Sequence, residues 1–358
     1  MRKTVKHLLA ETEGWDDVPK DVADAFVGCC DVKLSVEASV DAKPEKVYNA
    51  GGTAKLRAIA VGRMDNDVFA PDPWQPSVKG LPKEGGISYK DFAPEQWEKA
   101  VKQLDGLAEL LESEDVEVYR PPLVSMEQAM SEPIGLTQTY VRESFSVVGD
   151  TVVINQARSP YRRKESRAWE PFFESFQGLN IVRLPPVSDD VADSLPDDPL
   201  PYFEGGDFYH LGKDVIITMS GLASSPTGFR FVAEALEAKG FNVWPAYLKS
   251  KWEHGDYVFM PIREGLCVAC RRGFVDDLLP SPVTDWDCIE ITEDEADPGM
   301  CCNGIVLREN VVVLQQGTTN RVARALERKG VDVITIPFDG VAFFQGSIDC
   351  STSGLWRE

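Results

Sequence analysis

Five side chains, Glu143, Glu204, His254, Asp256 and Cys350, carry the chemistry this sequence can offer. A thiol has a reference pKa of about 8.5, so it needs activation to be a good nucleophile at neutral pH. His254 can hold its proton, and Glu204 can orient the imidazole and favour its cationic form. Glu143 and Asp256 are left over as carboxylates. Two carboxylates at one site repel each other unless a cation lies between them. A guanidinium is such a cation, planar and able to donate paired hydrogen bonds to each. Bound that way, it leaves its central carbon open to sulfur. A metal site is the competing reading of the same carboxylates and His254, but they form no compact ligand motif. Each residue alone has an ordinary explanation, since a lone cysteine is most often a small buried hydrophobe.

What raises the combination above its parts is where the residues fall. Val141-Arg142-Glu143 stands just before a strand, as do Phe203-Glu204-Gly205-Gly206-Asp207 and Glu253-His254-Gly255-Asp256. Cys350 follows the apolar run Val331–Ile336 and is trailed by a short polar tail. A repeated theme supplies the strands: a short strand, a polar turn, a second strand, a helical stretch and a closing strand. One copy runs from Ser144-Phe145-Ser146-Val147-Val148 through Gly149-Asp150 and Thr151–Ile154 to Ile181–Leu184. A second opens at Phe208–Leu211, has a helix over 228–239 ending at Gly240, and closes with Phe241–Trp244. A third opens at Tyr257, and a fourth at Gly304 with a helix over 320–329. A looser fifth covers 56–118, where Trp97, Val101, Leu104, Leu107, Ala108 and Leu111 keep helical spacing. Five ββαβ units argue for a single α/β domain over 53–358, closed as a five-bladed pseudo-symmetric propeller, with independent βαβ folds side by side as the alternative. A ring would bring equivalent strand ends to one mouth. Residues 1–52 fall outside the repeat and read as an N-terminal extension ending at Asn49-Ala50-Gly51-Gly52. The acidic stretch 189–201 leads straight to Glu204.

Composition narrows the class. The chain has 358 residues, 43% of them hydrophobic, which is enough for a large core. Its formal charge of -21 argues against attraction to nucleic acid or anionic membrane. Eight cysteines, including the adjacent pairs Cys29-Cys30 and Cys301-Cys302, show no disulfide framework and fit a reducing cytoplasm. Cys267-Val268-Ala269-Cys270 sits in an apolar run and reads as core strand rather than a metal or redox site. No stretch is long enough to span a bilayer.

These motifs resemble the guanidino-group-modifying superfamily, over about 300 residues from Leu56 onward. Within it, arginine:glycine amidinotransferase and its relatives fit best. Ala60-Val61-Gly62-Arg63-Met64-Asp65-Asn66 is similar to an early segment of theirs, and Tyr140–Ile154 with Arg158-Ser159-Pro160-Tyr161-Arg162 is similar to a later one. Cys302-Asn303-Gly304-Ile305-Val306-Leu307 resembles a third. The resemblance implies Cys350 as nucleophile, His254 as acid/base and Glu204 as its acidic partner. It implies Glu143 and Asp256 as guanidinium clamps, with Arg142, Asp207 and Asn303 also on the substrate. Three differences stand out. The usual Arg-Asp is Arg142-Glu143, Glu204 is the residue common in deiminases, and Asp349 replaces a histidine before the cysteine. The implied activity moves the amidino group of arginine to an acceptor amine or amino acid, without cofactor or metal. A guanidino-hydrolase of the arginine deiminase or dimethylarginine hydrolase type, using water instead, is the alternative. Partners are then small molecules, and a homodimer is an admissible assembly.

Overall fold

The computed structural model describes residues 43–70, 85–187, 200–317 and 319–358. The expectations for Val22–Val27, Val32–Val40, Cys29-Cys30 and most of the acidic stretch before Glu204 lie outside the described residues.

The molecule is mixed α/β and is built from a recurring sheet. Near the start lie β1 (Tyr48–Asn49) and β2 (Leu56–Val61), then the ribbon β3 (Val68–Phe69) with β4 (Ile87–Ser88), and β5 (Glu117–Tyr119). Next come three strands, β6 (Phe145–Val148), β7 (Thr151–Ile154) and β8 (Asn180–Arg183). In this sheet β6 and β7 pair antiparallel, while β7 and β8 pair parallel. The pattern recurs in β9 (Phe208–Leu211), β10 (Asp214–Met219) and β11 (Asn242–Tyr247). It recurs again in β12 (Phe259–Arg263), β13 (Leu266–Ala269) and β14 (Asp287–Glu290). A further copy is β15 (Ile305–Arg308), β16 (Val311–Gln315) and β17 (Asp332–Ile336). An antiparallel pair needs only a tight turn, whereas a parallel pair needs a long crossover. The sequence supplies both in turn: Gly149, Gly212 and Gly265 take positive φ in the tight turns, as does Asn310.

The crossovers are amphipathic helices. Helix α1 (Pro94–Ser113) buries Ala100, Leu104, Leu107, Ala108 and Leu111 along one face. A fully buried leucine contributes about 2 kcal/mol. Helices α2 (Arg163–Glu174), α3 (Pro226–Glu237) and α4 (Asn320–Glu327) play the same part in their units. The third unit differs from the expected ββαβ theme. Between β13 and β14 only 3-10 turns form, at Arg271–Gly273 and Ser281–Val283, and no α-helix is found there. Pro280 and Pro282 lack the N–H a helix interior needs. Cys267 lies within β13 and Cys270 just beyond it, both buried and free.

A second correction concerns the polar tail. Thr352–Arg357 forms a strand, β18, which pairs antiparallel with β2 and parallel with β1. The looser fifth unit is thus completed from the far end of the chain, in the order β1-β18-β2-β5. Thr352, Ser353 and Leu355 are buried there, although the segment is short and carries little apolar pattern.

Candidate active site

Every unit delivers a polar side chain from the segment just before its first strand. A 3-10 turn, Val141–Glu143, precedes β6 and carries Glu143. The turn Gly205–Asp207 precedes β9 and follows Glu204. The turn Gly255–Tyr257 precedes β12, with His254 at its start and Asp256 within it. Asn303 precedes β15 and Cys350 precedes β18. The five groups read from sequence as chemically active are all buried, between 1% and 6% exposed, although four of the five are acid or base side chains. Burial of that kind is costly unless each group has partners.

Glycine lets the turns come together. A Cβ on Gly206 would lie 2.8 Å from His254 Cγ, 2.9 Å from His254 Cβ and 3.1 Å from Glu143 Oε1. Gly205 packs against the backbone carbonyl of Arg142 in the same way. The backbone of the second turn therefore sits directly against the side chains of the first and third.

The contacts form two connected groups. In one, His254 Nε2 is 3.1 Å from Glu204 Oε2 and 3.6 Å from Glu143 Oε2. Glu204 Oε1 accepts from Arg158 N at 3.1 Å, and Arg162 Nη1 lies 3.5 Å from Glu204 Oε2. Arg162 in turn faces Glu165 at 3.4 Å. In the other, Cys350 Sγ lies 3.3 Å from Asp256 Oδ2, and Asn303 Nδ2 donates to that sulfur at 3.0 Å. Asn303 Oδ1 accepts from Cys350 N at 3.1 Å, so one amide holds both ends of the cysteine. The nearest acceptor for the thiol proton is thus Asp256, while His254 is engaged with Glu204.

Protonation follows from these contacts. Burial opposes charge on His254, but Glu143, Glu253 and Glu204 outweigh it and raise its pKa well above the ordinary imidazole value. Burial likewise opposes ionisation of Glu204, yet His254 and Arg162 hold it below the usual carboxylate range. The pair is an imidazolium on a carboxylate. Burial raises Asp256 to about 8, with Asp349 and Glu143 adding to it and His254 opposing. Burial, Asp256 and Glu143 push the Cys350 thiol well above its ordinary value. At neutral pH the thiol and Asp256 therefore each hold a proton.

Two buried acceptors, Glu143 Oε1 and Asp256 Oδ1, have no hydrogen-bond partner among the described residues. Carboxylate oxygens left so are expensive and call for a donor. Glu143, Glu204 and His254 offer ligand atoms within 4.8 Å of one another, close enough to hold a metal ion. The Arg162 guanidinium already supplies positive charge beside that cluster.

Two other residues expected on the substrate are engaged elsewhere. Asp207 is fully buried, and its carboxylate accepts from Thr218 Oγ1, Gly255 N and Ser224 N, tying the second and third turns together. Arg142 donates to Phe208 O at 2.8 Å and faces Asp349 at 3.6 Å, lining a cavity whose walls include none of Glu143, Glu204, His254, Asp256 and Cys350. Arg162 was not singled out from sequence as a site residue. Its only signal was its place in Arg158-Ser159-Pro160-Tyr161-Arg162.

No protein-family model matches the chain. A Streptomyces griseus protein assigned as inosamine-phosphate amidinotransferase 2 is 25% identical over 279 residues, covering 71% of this chain and 79% of the relative. Inosamine-phosphate amidinotransferase 1 of Streptomyces glaucescens is 22% identical over 280 residues, covering 72% and 80%. Among solved structures, the inosamine-phosphate amidinotransferase StrB1 of Streptomyces griseus superposes with a TM-score of 0.73 at 19% identity, covering 87% of this chain and 97% of that one. SxtG, an amidinotransferase from Microseira wollei in the saxitoxin biosynthetic pathway, gives 0.70 at 21% identity with the same coverage. A dimethylarginine dimethylaminohydrolase gives 0.61 at 17% identity, covering 84% and 99%. The structural likenesses carry the fold. In sequence, the two curated relatives to which the chain is similar are both amidinotransferases.

Proposed function

We propose that the chain moves the amidino group of arginine to an acceptor amine through a covalent intermediate on Cys350. The observation that carries this reading is the pair of orphaned carboxylate oxygens, Glu143 Oε1 and Asp256 Oδ1, buried in the same site as a thiol and an imidazolium. A guanidinium supplies donors to both and a carbon for the sulfur. Its charge also offsets the field of Asp256 and Glu143 that keeps the proton on Cys350. As the cation binds, the protons on Cys350 and Asp256 pass to solvent, and the thiolate attacks the guanidino carbon. His254, already an imidazolium, gives its proton to the departing amine as the C–N bond breaks, releasing ornithine. The acceptor amine then gives a proton to His254 and attacks the amidino carbon, and the C–S bond breaks. Glu204 and Arg162 hold the imidazole, Asn303 holds the cysteine, and Asp207 fixes the turns. Arg142 acts behind the site rather than on the substrate.

The same reading takes residues 53–358 as one catalytic domain and closes the five units as a five-bladed ring. Supporting that closure, each unit sends its polar residue to one site from the same point in its own sheet. The test is incubation with arginine and a panel of amines, followed by mass spectrometry. Ornithine with a new guanidino product is expected, together with an amidino adduct on Cys350 that is absent in Cys350→Ala. Citrulline and ammonia would mean that water takes the place of the amine.

A further inference from the structure

The cavity lined by Arg142 is a second place with unmet charge. It holds about 80 Å³ of free space, room for a small ion. The ionised groups on its wall are Arg142, Arg357 and Asp349. Two guanidinium groups against one carboxylate leave an excess of one positive charge, inside a chain whose formal charge is -21. Asp349 is spent on Arg142, at 3.6 Å. Arg357 is 7% exposed, and among the described residues no carboxylate lies within ion-pair distance of it. Among the described residues its one hydrogen bond goes from Nη1 to Ala54 O at 2.8 Å, out of the five donors that a guanidinium carries. Arg142 Nε is also buried without a hydrogen-bond partner. His210 lines the same space, with Nε2 on Gly212 O at 2.8 Å and Nδ1 unpartnered.

A buried guanidinium paired only with a carbonyl is destabilising unless an anion joins it. Arg357 feels this directly. Burial and the neighbouring Arg142 charge bring its pKa down to about 10, with Asp349 only partly compensating. Arg357 in turn helps burial depress His210 to about 4, so the imidazole is neutral and adds no charge of its own. The complement to this wall is a small anion whose oxygens can take several N–H donors at once, since guanidinium forks match oxyanions in shape.

We infer that the cavity is a binding site for a small oxyanion, a carboxylate or phosphate, held by Arg357 and Arg142 and separate from the site around Cys350. The experiment is isothermal titration of the full chain with sodium formate, sodium phosphate and sodium chloride at matched ionic strength. Saturable one-to-one binding of formate or phosphate is expected, stronger than chloride by at least about fivefold, and the preferred salt identifies the source. Arg357→Met should abolish it, while Cys350→Ser should leave it intact. Should Arg357→Met not fold, Arg357→Lys keeps the charge without the fork and should weaken binding about fivefold or more. No saturable binding to the wild-type chain would overturn the inference. So would unchanged binding in the Arg357 variants, or binding lost in Cys350→Ser, which would put the ion at the thiol.

Discussion

Cys350 and His254 are held in the opposite of the states usually drawn for a thiol and its base. The thiol is protonated beside Asp256, and the imidazole is protonated on Glu204. In the proposed reaction a cationic substrate reverses the first without disturbing the second. Removing one clamp charge, in Glu143→Gln or Asp256→Asn, deletes a charge-assisted bond worth roughly 1.5–3 kcal/mol. Arginine binding should weaken by about tenfold to a hundredfold in each, measured by titration against Cys350→Ala to prevent turnover. Unchanged affinity in both would mean that these oxygens do not meet the guanidinium. In the proposed reaction His254 moves protons in both half-reactions, whereas Glu204 only holds the ring. His254→Ala should therefore cost nearly as much as losing the nucleophile, and Glu204→Gln should leave slow, measurable turnover. Intact-mass analysis of adduct formation separates the two, and an adduct formed at the normal rate without His254 would remove it as the acid.

The strand-entry turns are what make these distances possible, and here the sequence was partly legible. Glu143, Glu204, His254 and Asp256 could be placed because each stands just before a run of β-branched and aromatic residues whose strand character is local, whereas Cys350 precedes β18, which carries little such pattern. Which of His254 and Asp256 meets the thiol was not legible, since they sit two residues apart and the choice depends on how one 3-10 turn is tilted. The directions of Arg142 and Asp207 were hidden for a similar reason, as each is set by carbonyls and amides of other units. Nor did Gly206 look more than a turn residue. Its packing predicts that Gly206→Ala, which would force Cβ to 2.8 Å from His254 Cγ, lowers turnover by at least about tenfold while the chain still folds. Activity and circular dichroism on the same preparation check this, and wild-type turnover would show that the turn can yield without cost.

At the scale of the whole molecule, buried acids set how stability depends on pH. Burial raises Asp67 to about 7, and raises Glu165 and Asp256 to about 8. In each case the folded state holds a proton that the unfolded chain releases near pH 4. The stability they contribute is complete below that value and is lost as pH climbs through 7 and 8. His254, also raised, acts in the same sense. Depressed groups act the other way, but His210 stops contributing above about pH 6.5 and Glu204 at lower pH still. The thermal midpoint should therefore fall by several degrees between pH 6.5 and 8.5, and Glu165→Gln should flatten the decline. A midpoint rising across that range in a calorimetric series would contradict it. The strands from β6 to β17 other than β14 were legible because each sheet is local in sequence. The first sheet was not, because β18 has a partner nearly the whole chain away in β2. That pairing has a kinetic consequence. Four sheets can form from neighbouring segments, but the first must wait for a long loop to close, which is the slow class of folding event. Cys350 is carried on the approach to β18, so its place beside Asp256 and Asn303 depends on that closure. The reverse holds on the way out. A partial opening that released β18 alone would take the sulfur from Asp256 and Asn303 together while β6 to β17 stayed paired, so on the proposed mechanism activity should be lost before the fold melts.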